Sequence, residues 1–218
     1  MNKLLFITPI DKKSFKKTIG ILNNLKYTFK NPKKKSDVKF VNKNYKKFNF
    51  LISYASGLII TQNLINHFNP SNIINFHPAT PKFRGRDSQH FAAYLREKNF
   101  GGTMHYLRSK IDNGKILDVK VFKMKKNSSH YEYHDKALKA LNFLLKKNIK
   151  KIFANKKFKK NKHKWSKKIY KRTDFLKMLK IPYGIKKKDF DHVYRSFFTH
   201  DKLSLYTELH KKKFFITN

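Results

Sequence analysis

Apolar positions along this chain fall into two alternating spacings. Short, nearly unbroken apolar runs at residues 3–8, 48–54 and 73–76 have the aromatic and β-branched content of strands buried on both faces. Between them apolar residues recur at helical spacing. Ile19, Leu22 and Leu25 do so within 15–25, where Gly20 weakens the period. A short helix is predicted at 61–68, and another at 88–97, where Phe91, Ala92 and Leu95 share a face. Residues 31–37 form a charged loop around Pro32, and 38–41 predict a short strand. Later strands are predicted at 103–107 and 116–125. A long amphipathic helix follows. Ser129 and Glu132 stand at capping-box spacing, and Leu138, Leu141, Leu144, Leu145, Ile149, Ile152 and Phe153 form one apolar stripe. This alternation predicts an α/β fold built on a doubly wound, mostly parallel sheet.

Beyond Ala154 the sequence turns Lys- and Asn-rich, which predicts a domain of residues 1–154 and an extension of residues 155–218. The extension reads as a small C-terminal α+β appendage. Trp165, the only tryptophan, is expected to pack back on the main domain. Thr173 is expected to cap a helix running to Leu179, and 205–210 with 213–216 predict a β-hairpin around basic turn residues.

With 218 residues, 39% of them hydrophobic and 21 of them Phe, the chain can fill one full core and a small appendage. It has no cysteine, so disulfides and thiolate metal sites are excluded. It has no long apolar run, so no transmembrane helix is expected. The apolar N-terminus is short and runs into Asp11 and lysines, so it reads as a first strand rather than a signal peptide, and a cytoplasmic location is the default.

The formal net charge is +39, carried mainly by Lys. It fits an electrostatic footprint for tRNA or another polyanion. It also fits AT-rich coding bias, because Asn, Ile, Phe and Tyr are plentiful too. Dedicated phosphate readers favour Arg, which is scarce here, so bias is the better account.

The candidate chemistry sits in two segments. The first reads Ile73-Ile74-Asn75-Phe76-His77-Pro78-Ala79-Thr80-Pro81-Lys82-Phe83-Arg84-Gly85. Asn75 and His77 are two apart, so they share one side of a strand, and Pro78 and Pro81 stiffen the loop that follows. Open parallel sheets bind ligands beyond the carboxyl ends of their strands. Asn can donate to a developing oxyanion, and His moves protons near neutral pH. The second segment, Gly101 to Leu117, brings Asp112. An acid there can orient and stabilise an imidazole. The bland alternative is that Asn75 and His77 cap a loop and Asp112-Asn113-Gly114 is a turn. Other constellations are weaker. Of His90, His130, His134, His192 and His200, only His130 and His134 stand four apart, and no third ligand is near. With 7 glycines there is no phosphate-cradling loop, and Gly57 is expected to allow a close backbone approach.

In combination these segments resemble the folate-dependent formyltransferase family. Asn75-Phe76-His77, the loop from Pro81 to Gly85, Gly101-Gly102-Thr103-Met104-His105 and Asp112-Asn113-Gly114-Lys115-Ile116 follow that family's pattern in order and approximate spacing. The likeness is good over about residues 50–121 and weak in the flanks. The loop after His77 is one residue shorter than the usual version, with Ala79 or Thr80 where a Ser is common.

The resemblance implies a Rossmann-type, formyltransferase-like sheet and a formyl donor, 10-formyltetrahydrofolate. It implies that Asn75 and His77 stabilise the tetrahedral oxyanion and that Asp112 pairs with His77 and takes protons from an attacking amine. The backbone of Tyr54, Ala55, Ser56, Gly57, Leu58 and Ile59 would face the pterin, with Ile111 closing its other side. Arg84 and Arg86 would contact an anionic substrate or the folate tail, or are plain loop charges. His105 reads as structural. The acceptor is left open between an amino sugar, an aminoacyl-tRNA and a small amine. A Tyr-Thr-x-Leu phrase at Tyr206-Thr207-Glu208-Leu209 resembles the start of the C-terminal domain in the tRNA enzymes, but the chain ends soon after, so no full C-terminal barrel is expected. Two other readings use the same residues: a basic nucleic-acid-binding protein on an idle scaffold, and a formyltetrahydrofolate hydrolase.

Overall fold

The computed structural model describes residues 3–10, 15, 26–154, 156–159, 161–199 and 204–217. The elements run β1 (Lys3–Ile7), β2 (Lys26–Lys30), α1 (Lys35–Asn44), β3 (Phe50–Tyr54), α2 (Gln62–His67), β4 (Ile73–His77), β5 (Arg84–Gly85), α3 (Ser88–Tyr94), β6 (Asn99–Tyr106), β7 (Ile116–Lys123), α4 (His130–Phe153), β8 (Ile169–Tyr170), α5 (Arg172–Met178), α6 (Lys187–Phe197), β9 (Tyr206–Leu209) and β10 (Lys212–Phe215). Six strands form one sheet in the order β2-β1-β3-β4-β6-β7. The first four are parallel, β6 runs antiparallel to β4, and β7 runs antiparallel to β6. This is the mixed, mostly parallel α/β sheet that the periodicity predicts.

The strands read most securely are those buried on both faces. All five residues of β3 are buried, and Ile73, Ile74 and Phe76 of β4 are fully enclosed. The long helix forms as its stripe predicts. The Ser129 side chain accepts from the Glu132 backbone N–H while Glu132 reaches back to the Ser129 N–H at 2.7 Å. Leu141, Leu144, Leu145, Ile149 and Ile152 enter the core beside Phe6, Phe50, Ile52 and Phe76.

Two expectations need correction, and one strand goes unread in the sequence. Residues 38–41 lie inside α1, not a strand: Val38 and Val41 are three apart on one helical face, and Val41 is the helix's buried residue. The β2 strand has no such run in the sequence, because it is a five-residue edge strand flanked by lysines, a usual device against edge pairing. At α5 the cap is Lys171, whose backbone N–H donates to Asp174 Oδ2 at 2.9 Å, and Thr173 lies inside the first turn. The helix expected over 15–25 lies outside the described residues, Phe15 excepted, and so does His200. No helix among the described residues is long and apolar enough to cross a membrane.

The segment after α4 builds a second core together with residues of the main domain. Tyr170, Phe175, Leu179, Phe197 and Leu205 cluster with Ala79, Phe83, Phe91 and Phe100. The hairpin forms, with β9 and β10 antiparallel. Helix α6 was not foreseen, although Phe190, Val193, Tyr194 and Phe197 recur at helical spacing. Three histidines fasten it. His90 donates from Nδ1 to the Ser196 carbonyl at 2.8 Å, His130 contacts the Arg195 carbonyl through Nδ1 at 3.1 Å, and His192 donates from Nε2 to the Tyr94 carbonyl at 2.8 Å. The His90 and His130 rings stack at 4.3 Å.

Burial, joined by the charge of His130 and opposed by the Ser196 bond, holds His90 down at about 3. A histidine depressed in the folded state contributes stability that is complete above its unfolded value of about 6.5 and is lost as pH falls below it, at up to ~1.4 kcal/mol per pH unit. The melting temperature should therefore fall steadily between pH 7 and pH 4.5, and less steeply in His90→Gln. Equal slopes in the two proteins would contradict this account.

Candidate active site

The carboxyl end of β4 carries Asn75 and His77 on one face. The register of the antiparallel partner sets Asn75 directly opposite His105, and His77 opposite Thr103. Side chains facing each other across such a pair project to the same side. Four polar residues are therefore brought together by two strands. Thr103 donates its hydroxyl to the Ala79 carbonyl at 2.7 Å, which fixes the start of the proline-rich loop.

Asp112 reaches this group from the loop after β6, with its backbone in the left-handed region at φ 40°. One carboxylate oxygen, Oδ2, accepts the Gly85 N–H at 2.8 Å and lies 3.5 Å from His77 Nδ1. The other, Oδ1, lies 3.4 Å from both His105 Nε2 and Asn75 Nδ2. Burial pushes this carboxyl upward. The neighbouring His77 charge, the hydrogen bond and charge of His105 and the Gly85 N–H outweigh burial and hold it well below the usual carboxylate range. Asp112 is thus a buried carboxylate kept ionised by its partners.

The histidines are anchored through their other nitrogens. His77 Nε2 donates to the Phe83 carbonyl at 2.7 Å, which leaves Nδ1 facing Asp112. His105 Nδ1 donates to the Tyr106 carbonyl at 2.8 Å, and its Nε2 stands 3.0 Å from Asn75 Nδ2 and 3.4 Å from Asp112 Oδ1. A proton added at His77 Nδ1 or His105 Nε2 lands against Asp112. The arrangement can store a proton on either side of one carboxylate. The contact of His105 with both Asn75 and Asp112 is absent from the sequence reading; its only advance sign is the two-residue alternation that puts Thr103 and His105 on one face of β6.

Arg84 is buried, and its guanidinium is committed to backbone: Nη2 to the Ile111 carbonyl at 2.7 Å, Nε to the Asp112 carbonyl at 2.9 Å and Nη1 to the Ser166 carbonyl at 3.0 Å. It ties the Asp112 loop to the extension. Arg86 is exposed, and its side chain has no partner among the described residues. Gly85 has φ 94°, and a Cβ there would lie 2.1 Å from the Tyr170 carbonyl oxygen, because β5 pairs with β8 at this point. Trp165 packs back as expected and lands beside the site. Its indole N–H donates to the Gly114 carbonyl at 2.7 Å, and its ring stands edge-on to His105 at 4.9 Å and His77 at 6.1 Å.

The loop after β3 lies one strand over. The Tyr54 side chain points away into the core against Phe6, Phe15 and Phe76. Ser56 Oγ and Ser53 Oγ share a hydrogen bond of 2.8 Å. Gly57 has φ 62°, a conformation that favours glycine, and open space where a Cβ would stand. Ile59 is 85% exposed and Ile111 54% exposed. The amides of Gly57, Ile59 and Ile60 have no partner among the described residues.

The side chains gathered here can donate to an oxyanion and can carry a proton, which are the parts that acyl transfer calls for. Comparison with known proteins agrees: residues 12–148 match the family described as formyl transferase, and the chain belongs to that family. A curated relative, the bifunctional polymyxin resistance protein ArnA of Wigglesworthia glossinidia brevipalpis, is 27% identical over 158 residues, 70% of this chain; the chain spans 22% of that relative's length. A 4-N formyltransferase from Francisella tularensis superposes with a TM-score of 0.80 at 20% identity, covering 100% of this chain and 97% of its own. An N-formyltransferase from Helicobacter canadensis, in complex with folinic acid and dTDP-3-aminofucose, superposes with a TM-score of 0.69 at 20% identity, covering 98% and 86%.

Replacing Arg84 by Met should strand the carbonyls of Ile111, Asp112 and Ser166. We expect a stability loss of about 3 kcal/mol or more, the scale for breaking several charged hydrogen bonds to buried carbonyls, visible in urea unfolding. A loss under about 1 kcal/mol would show that the clamp is not needed.

Proposed function

We propose that this formyltransferase moves a formyl group from 10-formyltetrahydrofolate to the primary amine of a nucleotide-linked amino sugar. The observation that carries the reading is the Asp112 carboxylate, buried and ionised between His77 and His105 with Asn75 alongside. The loop after β3 fits a flat heterocycle with polar edges: it offers the unpartnered amides of Gly57, Ile59 and Ile60, with Ile59 and Ile111 as exposed aliphatic flanks. The sugar nucleotide in the Helicobacter canadensis complex supports the choice of acceptor. The exposed Arg86, in the loop after His77, is then available to its phosphates.

Bound there, the donor supplies an activated formyl carbon whose bond to nitrogen is broken as the amine bonds to it. Asn75 donates to the oxygen on which negative charge develops, using the amide hydrogen that otherwise points 3.4 Å away at Asp112. Asp112 takes the proton that the amine must lose. His77 Nδ1 and His105 Nε2 share that proton with Asp112 until it passes to the leaving nitrogen. Trp165 shields the two histidines from water. Neither His77 nor His105 is more than 4% exposed, so both act through Asp112 and Asn75.

Two results are expected. With 10-formyltetrahydrofolate, purified protein should release tetrahydrofolate only when an amino-sugar nucleotide is present, and mass spectrometry should find the sugar formylated. Release without an acceptor would instead mean hydrolysis, and formylation of aminoacyl-tRNA would name another acceptor. Asp112→Asn should slow turnover by about a hundredfold or more, the scale for a positioned proton-transfer group, with the fold intact. Turnover within a few-fold of the unaltered protein would rule out the proton role.

A further inference from the structure

A cavity of about 600 Å³ is lined by none of the residues of the catalytic cluster. It lies where the end of α3, the mouth of the β6–β7 pair and the flank of α6 meet. Its volume is within the ordinary range for small-molecule sites. Six cationic side chains line it: Arg96, Lys98, Lys123, Lys125, Lys126 and Arg195. The single carboxylate in the lining, Glu97, is engaged by Lys82 in an ion pair. Ala93 and Met124 supply an apolar floor.

In so basic a chain a cationic cavity has an ordinary explanation in composition alone. The arginines speak against it. The sequence has only six, and one of the others is the Arg84 clamp and another pairs with Asp87. Two line this cavity, and neither guanidinium has a partner among the described residues. Both lie near enough to act on His192, which burial lowers most; its bond to Tyr94 pulls it up, the charges of Arg96 and Arg195 push it down, and Asp189 opposes them. Arg96 also holds a left-handed backbone at φ 50°, which is costly for a residue with a long side chain. Unpaired guanidiniums beside an apolar floor are the chemistry that receives phosphate groups attached to an organic body.

We propose that this cavity is a second ligand site, distinct from the catalytic cluster, that takes a small organic di- or triphosphate. Arg96 and Arg195 grip the phosphate oxygens. The lysines around the rim add attraction, and the apolar floor receives the organic part. The site depends on no formyl transfer, so it stands or falls apart from the proposed reaction.

The test uses inorganic pyrophosphate as the probe, titrated calorimetrically into the full chain at about 150 mM salt, where long-range attraction is screened. Saturable binding is expected. The double variant R96Q/R195Q should weaken it by about tenfold or more, while K46Q/K47Q, an equal charge change on exposed lysines elsewhere, stays within about twofold. If R96Q/R195Q fails to fold, K125Q/K126Q, on exposed residues, should weaken binding by more than that control. Asn75→Ala should bind as the unaltered protein does. Equal losses in the cavity and control variants, loss in Asn75→Ala, or no saturable binding would each overturn the proposal.

Discussion

One constraint organises this molecule: a carboxylate has to stay charged where water hardly reaches it. Burial pushes Asp112 toward its protonated form, and partners held within a few ångströms outweigh that push. Those partners come from three places in the chain: His77 from β4, His105 from β6 and the Gly85 N–H from the short β5 strand, whose Arg84 also holds the Asp112 backbone. Much of the surrounding structure serves this arrangement. The β5–β8 pairing sets Gly85, the Thr103–Ala79 bond sets the loop that delivers Phe83 to His77, and Trp165 covers the two imidazoles.

This explains why the extension after the long helix belongs to the site and not only to the periphery. Tyr170 pairs with Gly85, Ser166 accepts from Arg84, and Trp165 contacts both histidines. The extension also completes the second core, so its packing and the geometry of the cluster are set together. In the proposed reaction the residues beyond 154 therefore act as the outer wall of the catalytic centre.

The fold was legible where one force dominated. Runs buried on both faces, such as β3 and β4, and the capped stripe of α4 carry their structure in their composition and spacing. Where burial is partial the signal fades: β2 hides among lysines, and Val38 with Val41 reads as strand or helix until the packing side is known. Asn75, His77 and Asp112 stood out because adjacent motifs framed them, and the structure brings them together. His105 did not, because its contact depends on β6 running antiparallel to β4 in one particular register, which is a long-range property. The Arg84 clamp was equally hidden. An arginine in a loop looks the same in sequence whether it faces a ligand or three backbone carbonyls.

The central claim is that Asn75 and Asp112 work as one unit in formyl transfer. A double-mutant cycle on the transfer rate tests it directly, with Asn75→Ala, Asp112→Asn and the two combined. Residues that act as a unit give strongly non-additive losses. The account predicts that the double variant is slower than the worse single variant by no more than about threefold. Losses that multiply, so that the double variant shows the full product of the two single effects, would contradict it.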